Sequence, residues 1–491
     1  CGLPLSATAS QEVTWLKGNA ASFASILSAD LRREKATAFD LSVGSPIWRG
    51  DPRGNTEPQL TRRLNVLLEE SGAQIGVGQY NEARYVYAPS MEEACTIHLG
   101  VDLFAKAGAS IRAPLAGKVA ALTKTADITP TVILEHEIAA SGKKRLKFFT
   151  LYSRLDKASL KKLKFEQRIR KGQRFAAIGS SVENGGRTPH AHVQILLDDL
   201  DLGVDFPRMA PPSQRDVWLG LCPDPNLILN IPKRIFPKRA PSKDKTFAHR
   251  RRRLGGNLSV AYRSPVKVVR GWMQYLFDEQ GRKYLDAYNN VAHVGHCHPR
   301  VVEALQRQSG VLNTNTRYLH DNINKYAERL TALLPETLEV CYFTNSASEA
   351  NELALRLARA YTRQKDMIVL EAAYHGNTTS LIDISPYKHD GPGGEGAPEW
   401  THTVPVPDVF RGEFKANDPQ AGAKYALYVQ RAIESLRARG RGLAGYIAES
   451  LPSVGGQIVF PTGYLADVYR YIRAAGGVCI ADEVQTGLGR V

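Results

Sequence analysis

Gly477-Val478-Cys479-Ile480-Ala481-Asp482-Glu483-Val484-Gln485 is an apolar run that ends in acids. It reads as a buried strand that delivers Asp482 to a site at its carboxyl end, where open α/β sheets hold ligands. An acid there can pair with a pyridinium nitrogen and keep such a ring protonated, so that the ring accepts electrons. Working outward, residues 350–363 read as a helix, 367–370 as a strand, 445–448 as a strand and 465–475 as a helix. This alternation, from about residue 254 onward, predicts a parallel sheet with helices packed against it.

Other polar groups fall at the ends of the same elements. Thr344-Asn345-Ser346-Ala347-Ser348-Glu349-Ala350-Asn351 opens the first helix. Its small residues let a phosphate approach backbone N–H groups where the helix dipole favours an anion. Read locally, Asn345 or Ser348 could serve as an ordinary N-cap. In Ala373-Tyr374-His375-Gly376-Asn377, after the next strand, an aromatic ring can lie over a flat cofactor. Glu449 ends a further strand. Together these features point to pyridoxal 5'-phosphate (PLP).

At these residues the chain resembles class III PLP-dependent aminotransferases, over about residues 254–491. Within that family, four stretches look like the ethanolamine-phosphate phospho-lyases. They are Asn290-Val291-Ala292-His293-Val294-Gly295-His296-Cys297-His298-Pro299, Leu312 through Asn322, Leu381-Ile382-Asp383-Ile384-Ser385-Pro386-Tyr387-Lys388, and Glu449-Ser450-Leu451-Pro452-Ser453-Val454-Gly455-Gly456-Gln457. The resemblance implies that Ser346, Ala347 and Ser348 line the cofactor phosphate and that Tyr374 stacks on the ring. It implies that Asp482 meets the pyridine nitrogen, Val484 packs on the ring and Gln485 lies near its hydroxyl. His375 and Glu449 complete the expected cofactor set. Arg317 is the candidate for a substrate phosphate, which calls for a guanidinium or ammonium group. The family's Schiff-base lysine has no counterpart before Val491. The expectation is therefore a truncated, inactive piece of a homodimeric enzyme acting on a small-molecule amine. The leading reaction is elimination of phosphate from a phosphorylated amine such as phosphoethanolamine. The alternative is transamination of an amine with a 2-oxo acid.

A second constellation lies upstream. His98-Leu99-Gly100-Val101-Asp102 places an imidazole and a carboxylate four residues apart. His190-Ala191-His192 puts two histidines on one face of a strand. Two histidines and one carboxylate leave a fourth zinc position open. With the glycine-rich approach Asn184-Gly185-Gly186-Arg187-Thr188-Pro189, the stretch resembles lysostaphin-type zinc endopeptidases over about residues 75–200. The resemblance implies zinc ligands His98, Asp102 and His192, with His190 as a catalytic histidine. A second catalytic histidine belongs in Tyr152-Ser153-Arg154-Leu155, where Arg154 stands instead. A guanidinium does not accept a proton at neutral pH, so zinc binding is expected without efficient peptide hydrolysis. A zinc metallopeptidase is the second functional alternative.

The whole is thus expected to be multidomain. A mainly-β peptidase-like domain (71–206) precedes a truncated α/β domain of PLP-transferase fold type I (254–491). Residues 1–70 read as a helical segment around a loop at 44–54. By similarity to large bacterial fusion proteins, this segment is the tail of an upstream kinase-like domain. Of the net charge of +15 on 491 residues, residues 233–253 carry +9, from ten basic residues and one acid. This run, within 207–253, reads as a solvated basic linker and not as a nucleic-acid or membrane surface, since no aromatic platform accompanies it. Apolar runs fall short of the ~20 residues of a membrane span. Six cysteines without CxxC spacing fit reduced thiols in a cytoplasmic protein. The consecutive His296-Cys297-His298, followed by Pro299, reads as a loop.

Overall fold

The computed structural model describes residues 9–33, 35–48, 58–87, 94–123, 129–139, 145–288 and 292–489. Asn290 and Val291 of the first phospho-lyase-like stretch lie outside these, as do residues 49–54 of the loop at 44–54. The chain divides into two compact units between Leu312 and Asn313. The peptidase-like part is β-rich and the later part is α/β, as the residue patterns predict.

The first unit is built on an eight-stranded sheet. Its order is Ala36–Phe39, Ile75–Gly78, Val101–Phe104, His190–Leu196, Arg145–Ser153, Thr131–Ala139, Gly117–Leu122, Arg168–Ile169. The first two strands pair in parallel and the rest antiparallel. Both faces are covered. Val132 and Leu134 enter one core while Ile133 between them enters the other. Leu103 and Phe104 divide in the same way, because neighbouring side chains on a strand point to opposite faces.

Two sequence expectations change here. Residues 1–70 are not only helical. Besides the helices Ala9–Gly18 and Gln59–Ser71 they supply the strand Ala36–Phe39. In its Ala-Thr-Ala-Phe sequence only Thr37 and Phe39 favour a strand, and it is held by pairing with Ile75–Gly78. Leu16, Phe23, Ile26, Leu27 and Leu31 fill the first core, so the segment is part of this unit. The connector expected over 207–253 is also largely structured. Met209–Ala210 pairs with Ile97–His98, and the short helices Arg215–Leu221 and Asn226–Leu229 bury Leu221, Ile228 and Leu229. Prolines turn these apolar residues back onto the sheet, and averaged composition hides them. The helix Lys243–Arg253, capped by Ser242, has no buried residue.

Alternation of helix and parallel strand does not begin at residue 254 either. Val268–Trp272, Tyr275–Asp278 and Lys283–Leu285 form an antiparallel sheet. Phe277 from it enters the second core of the first unit, edge-on to Tyr85. The Arg270 guanidinium donates to the carbonyls of Val43 and Ser45, both at 2.6 Å.

The second unit holds a parallel sheet in the order Thr401–Val404, Asp366–Leu370, Leu443–Glu449, Val478–Asp482. Helices Ala421–Ala438 and Tyr464–Ala474 cover one face through Val429, Ile433, Val468 and Ile472. Leu355 of the helix Ala347–Thr362 packs with Met367, Val369 and Ile447 on the other. Every residue of Leu443–Glu449 is buried, as a central parallel strand requires. Glu449 and Asp482 are register partners at the carboxyl ends of adjacent strands. Among the described residues, no helix is long and apolar enough to cross a membrane.

Candidate metal centre and cofactor site

Strand register assembles the first site. His192 faces Asp102 on one neighbouring strand and Ser153 on the other. His98 Nε2 lies 3.0 Å from His192 Nδ1, and His192 Nδ1 lies 3.0 Å from Asp102 Oδ1. One ligand atom from each of the three residues falls within 4.8 Å of the others, and all three residues are buried. The outer ring nitrogens have fixed acceptors. His98 Nδ1 is 2.8 Å from the Gln79 carbonyl, and His192 Nε2 is 3.0 Å from Gln194 Oε1. Gln194 Oε1 fixes the proton of His192 on Nε2, whereas His98 Nδ1 faces both the Gln79 carbonyl and the donor Arg84 Nη2, the latter at 3.0 Å. With the His98 proton on Nδ1, the inner lone pairs of His98 Nε2 and His192 Nδ1 converge with the carboxylate. Three acceptors so close repel unless a cation lies among them, so the residues fit zinc.

The electrostatics agree. Burial and the Arg84 charge push His98 down to about 4, and burial pushes His190 down to about 3. Both imidazoles are neutral at neutral pH. Burial would raise Asp102, but His98, which gains its charge only below about pH 4, and the permanently charged Arg84 guanidinium hold it well below the usual carboxylate range. The guanidinium of Arg84 donates to Asp102 Oδ2 at 2.5 Å and to Glu82 Oε2 at 3.1 Å. Glu82 is buried and pushed up to about 7 by that burial.

Gly100, between the two ligands, is required by space. A Cβ there would lie 2.5 Å from His192 Cε1 and 2.6 Å from the Val193 carbonyl. His190, on the same strand face as His192, is held by its Nδ1 against the Thr188 carbonyl at 2.7 Å. Arg154 follows Ser153, the cross-strand partner of His192, at a φ of 63°.

The second site gathers at the carboxyl ends of the parallel strands. His375 Nδ1 and Asn351 Nδ2 donate to Asp482 Oδ2 at 2.9 and 2.8 Å, and the Val484 N–H donates to Oδ1 at 3.1 Å. Burial would raise Asp482, yet the His375 hydrogen bond and charge leave it below its ordinary value. It is therefore a charged carboxylate, the state that holds a pyridinium nitrogen. His375 Nε2 is buried and has no hydrogen-bond partner among the described residues.

Asn351 ties this carboxylate to the helix Ala347–Thr362, whose first turn carries Ala347 and Ser348. The rise from Ser348 to Asn351 is about 4.5 Å. Ser346 is the N-cap and accepts from the Glu349 N–H, and Ser348 Oγ accepts from the Asn377 N–H. A Cβ on Gly376, whose φ is 139°, would lie 2.8 Å from Ser348 Oγ. The segment expected to line the cofactor phosphate and the carboxylate expected at the ring nitrogen thus meet through one helix, and these residues fit PLP. Tyr374 packs edge-on to Tyr387. Glu449 is buried, which raises it, and it accepts from the Ser453 N–H and hydroxyl. Gln485 is half-buried, and Val484 is exposed, so no described core holds its side chain. Arg317 is exposed, and no hydrogen bond or ion pair among the described residues joins its side chain to Asp482.

Residues 259–491 match the family Aminotransferase class-III, and residues 96–202 match Peptidase family M23. The chain carries an M23 peptidase domain and a class III aminotransferase domain. It is 51% identical over 254 residues to alanine–glyoxylate aminotransferase 2-like of Drosophila melanogaster, covering 51% of each chain. It is 42% identical over 272 residues to ethanolamine-phosphate phospho-lyase homolog 1 of Caenorhabditis elegans, covering 53% of this chain and 58% of that one. A solved phospholyase from Arthrobacter in complex with phosphoethanolamine is 39% identical. That match covers 49% of this chain and 56% of that one, with a TM-score of 0.46. The chain spans about half the length of the curated relatives it matches.

Sequence reasoning missed three groups in these sites. Asn351 stands at the end of a stretch read for phosphate, and its only signal is helical spacing from Ser348. Arg84 reaches the metal cluster through strand pairing, which no local pattern announces, whereas Gln194 follows His192 by two residues on the same strand face, so the alternation of His190-Ala191-His192 could have found it.

Proposed function

We propose that the class III domain belongs to a PLP-dependent enzyme that eliminates phosphate from a phosphorylated amine. What carries this reading is where the phospho-lyase-like stretches fall. Ser385 Oγ, in Leu381 through Lys388, accepts from the backbone N–H of His375 at 3.0 Å. Ser453, in Glu449 through Gln457, binds Glu449. Both stretches border the cofactor segment, where substrate selectivity is decided. When bound, PLP supplies an electron sink for a carbanion. Asp482 keeps the ring nitrogen charged, while His375 and Asn351 fix the carboxylate. The Lys388 ammonium, 5.7 Å from the Tyr374 ring centroid, joins Arg317 as a candidate for the substrate phosphate.

The transaminase name of the Drosophila relative makes the second reaction the natural competitor. The deciding measurement is phosphate release from phosphoethanolamine by the complete protein, with and without a 2-oxo acid. Elimination consumes no amino acceptor, so release without a 2-oxo acid is expected. Turnover of unphosphorylated amines strictly dependent on a 2-oxo acid, with no phosphate released, sinks the lyase reading.

For the M23 domain we propose one zinc on His98, Asp102 and His192 without efficient peptide hydrolysis. Arg154 cannot take a proton where a second histidine is expected. Metal analysis tests the first half. Hydrolysis of glycine-rich peptides at rates typical of peptidases overturns the second.

A further inference from the structure

The metal cluster lies on the face of the eight-stranded sheet that the second core covers. Along His190–Leu196, Ala191, Val193 and Ile195 enter the first core, whereas Leu196 enters the second. Strand alternation puts His190, His192 and Gln194 on the Leu196 side. The neighbouring strand agrees. Val101 and Leu103 enter the first core, and Phe104, on the same face as Asp102, enters the second. A catalytic zinc keeps one coordination position open, whereas a structural zinc is closed. The cover over this face therefore bears on what a metal here can do.

That cover is dense. Leu64, Tyr85, Leu99, Phe206, Leu221 and Phe277 stand off the sheet in the second core, and each is at most 4% exposed. They come from segments far apart in the chain, and Phe277 lies within the stretch that matches the class III family. The ligands beneath are buried accordingly. His98, Asp102 and His192 are 2%, 3% and 3% exposed, and His190 is 5% exposed.

Polar contacts fasten the cover to the ligands. Arg84 donates to Asp102 and Glu82, and Glu82 Oε1 accepts from the Leu41 N–H at 2.8 Å. The Gln79 carbonyl faces His98 Nδ1, while its side-chain amide donates to the Phe39 carbonyl at 3.0 Å. Gln194, whose Oε1 holds His192, donates to the Cys222 thiol at 3.1 Å and to the Pro207 carbonyl at 3.3 Å. Gln79, Glu82, Arg84 and Gln194 are all buried, and Phe39, Leu41 and Cys222 belong to the second core. Each ligand is thus tied to the cover through buried intermediaries. A peptide carbonyl could reach the metal only by parting this core or breaking these bonds. A metal bound here instead joins three strands, Ile97–His98, Val101–Phe104 and His190–Leu196.

We infer that the metal held by His98, Asp102 and His192 is structural. It is sealed beneath the second core, leaves only when the unit unfolds, and pins the covering segments to the sheet. The inference rests on the zinc-site reading above. It supplies a barrier to peptide hydrolysis that is independent of Arg154.

The test uses the whole chain loaded with zinc and mixed with excess EDTA. Zinc retained by the protein is measured over time after rapid desalting. The release rate is compared with the unfolding rate of the same loaded chain, extrapolated from urea. Release is expected to be no faster than unfolding and indifferent to EDTA concentration. Release more than about tenfold faster than unfolding, or rising in proportion to EDTA, overturns the inference and leaves the zinc-site reading intact. A chain that takes up no zinc removes both. Arg154→His returns the expected histidine and gives a second readout. Loaded with zinc, it should still leave glycine-rich peptides uncut, because the barrier is access. Hydrolysis by Arg154→His overturns the inference while the zinc-site reading stands. Should Arg154→His not fold, the release rate of the native chain decides alone.

Discussion

The Nδ1 of His375 lies 2.9 Å from Oδ2 of Asp482, and both side chains are buried. The same oxygen accepts from Asn351, so Asp482 is fixed before any ring nitrogen reaches it. Replacing Asp482 with Asn keeps the shape and removes the charge. A charge-assisted hydrogen bond contributes about 1.5–3 kcal/mol, so PLP should bind Asp482→Asn roughly ten- to a hundredfold more weakly. Equilibrium titration followed by cofactor absorbance measures this. Equal affinity would remove Asp482 from the site.

Residues 254–491 contain seven lysines. No hydrogen bond or ion pair among the described residues joins any of them to Asp482, His375 or Asn351. Lys388 instead lies over the rings of Tyr374 and Tyr387. Borohydride reduction of this chain with PLP should therefore leave no stoichiometric pyridoxyl adduct at a single lysine. Peptide mapping checks the result, and one full adduct, on Lys388 above all, contradicts it.

Gly100→Ala tests the metal centre without touching a ligand. The added methyl would meet the His192 ring and the Val193 carbonyl well inside contact distance. One side of the clash is backbone and cannot swing away. Zinc affinity should fall by at least tenfold, with a stability loss of about 1–3 kcal/mol from overpacking. Metal analysis after dialysis reads the first effect and urea unfolding the second. Native zinc content in Gly100→Ala would mean that the sheet gives way more easily than this packing allows.

Chemistry was more legible in this sequence than architecture. The spacing His190–His192 survives translation into structure because strand periodicity carries it, whereas His98 and Asp102 lie on the separate strands Ile97–His98 and Val101–Phe104 and meet across Leu99-Gly100. Asp482 and Glu449 were legible for a similar reason, since each sits where a strand ends, but the local reading offered Asn345 or Ser348 as the N-cap where the structure has Ser346. The roles of residues 9–71 and 207–235 were not legible. Their apolar residues are spaced by prolines and small residues, and only the two-faced sheet shows what they cover. Arg84 shows the same limit, since it reaches Asp102 only because Ala83 bridges Ile97 across strands.

Arg84 is buried between two carboxylates, and removing it should be expensive. Arg84→Met keeps much of the volume but strands Asp102 Oδ2 and Glu82. Breaking a buried pair costs about 3–5 kcal/mol, and loss of an outer-shell partner lowers metal affinity about 10–100-fold. Bound zinc should restore part of the lost stability, because the metal neutralises Asp102. Unfolding with and without zinc measures both effects. Equal stability of Arg84→Met and the native chain in the metal-free state would show that Arg84 does not hold the cluster.

His136 supplies a pH dependence away from the metal. Its Nδ1 lies 3.0 Å from the Ala116 carbonyl and its Nε2 2.8 Å from Thr150 Oγ1, and its ring stacks on Phe148 at 4.9 Å. Burial pushes it down from 6.5 to about 4. Folded, the ring stays neutral to about pH 4; unfolded, it takes up a proton near 6.5. The unfolded chain therefore binds more protons between those values. The contribution is intact above 6.5 and is lost as the pH falls toward 4. Between pH 7.5 and 5 the loss from this residue is about 2 kcal/mol. His136→Gln does not titrate there, so its stability should fall less over that interval, by about the same 2 kcal/mol. Comparing the two chains cancels the other buried histidines. Parallel stability profiles in urea at the two pH values would show that His136 is solvated well enough to protonate while folded.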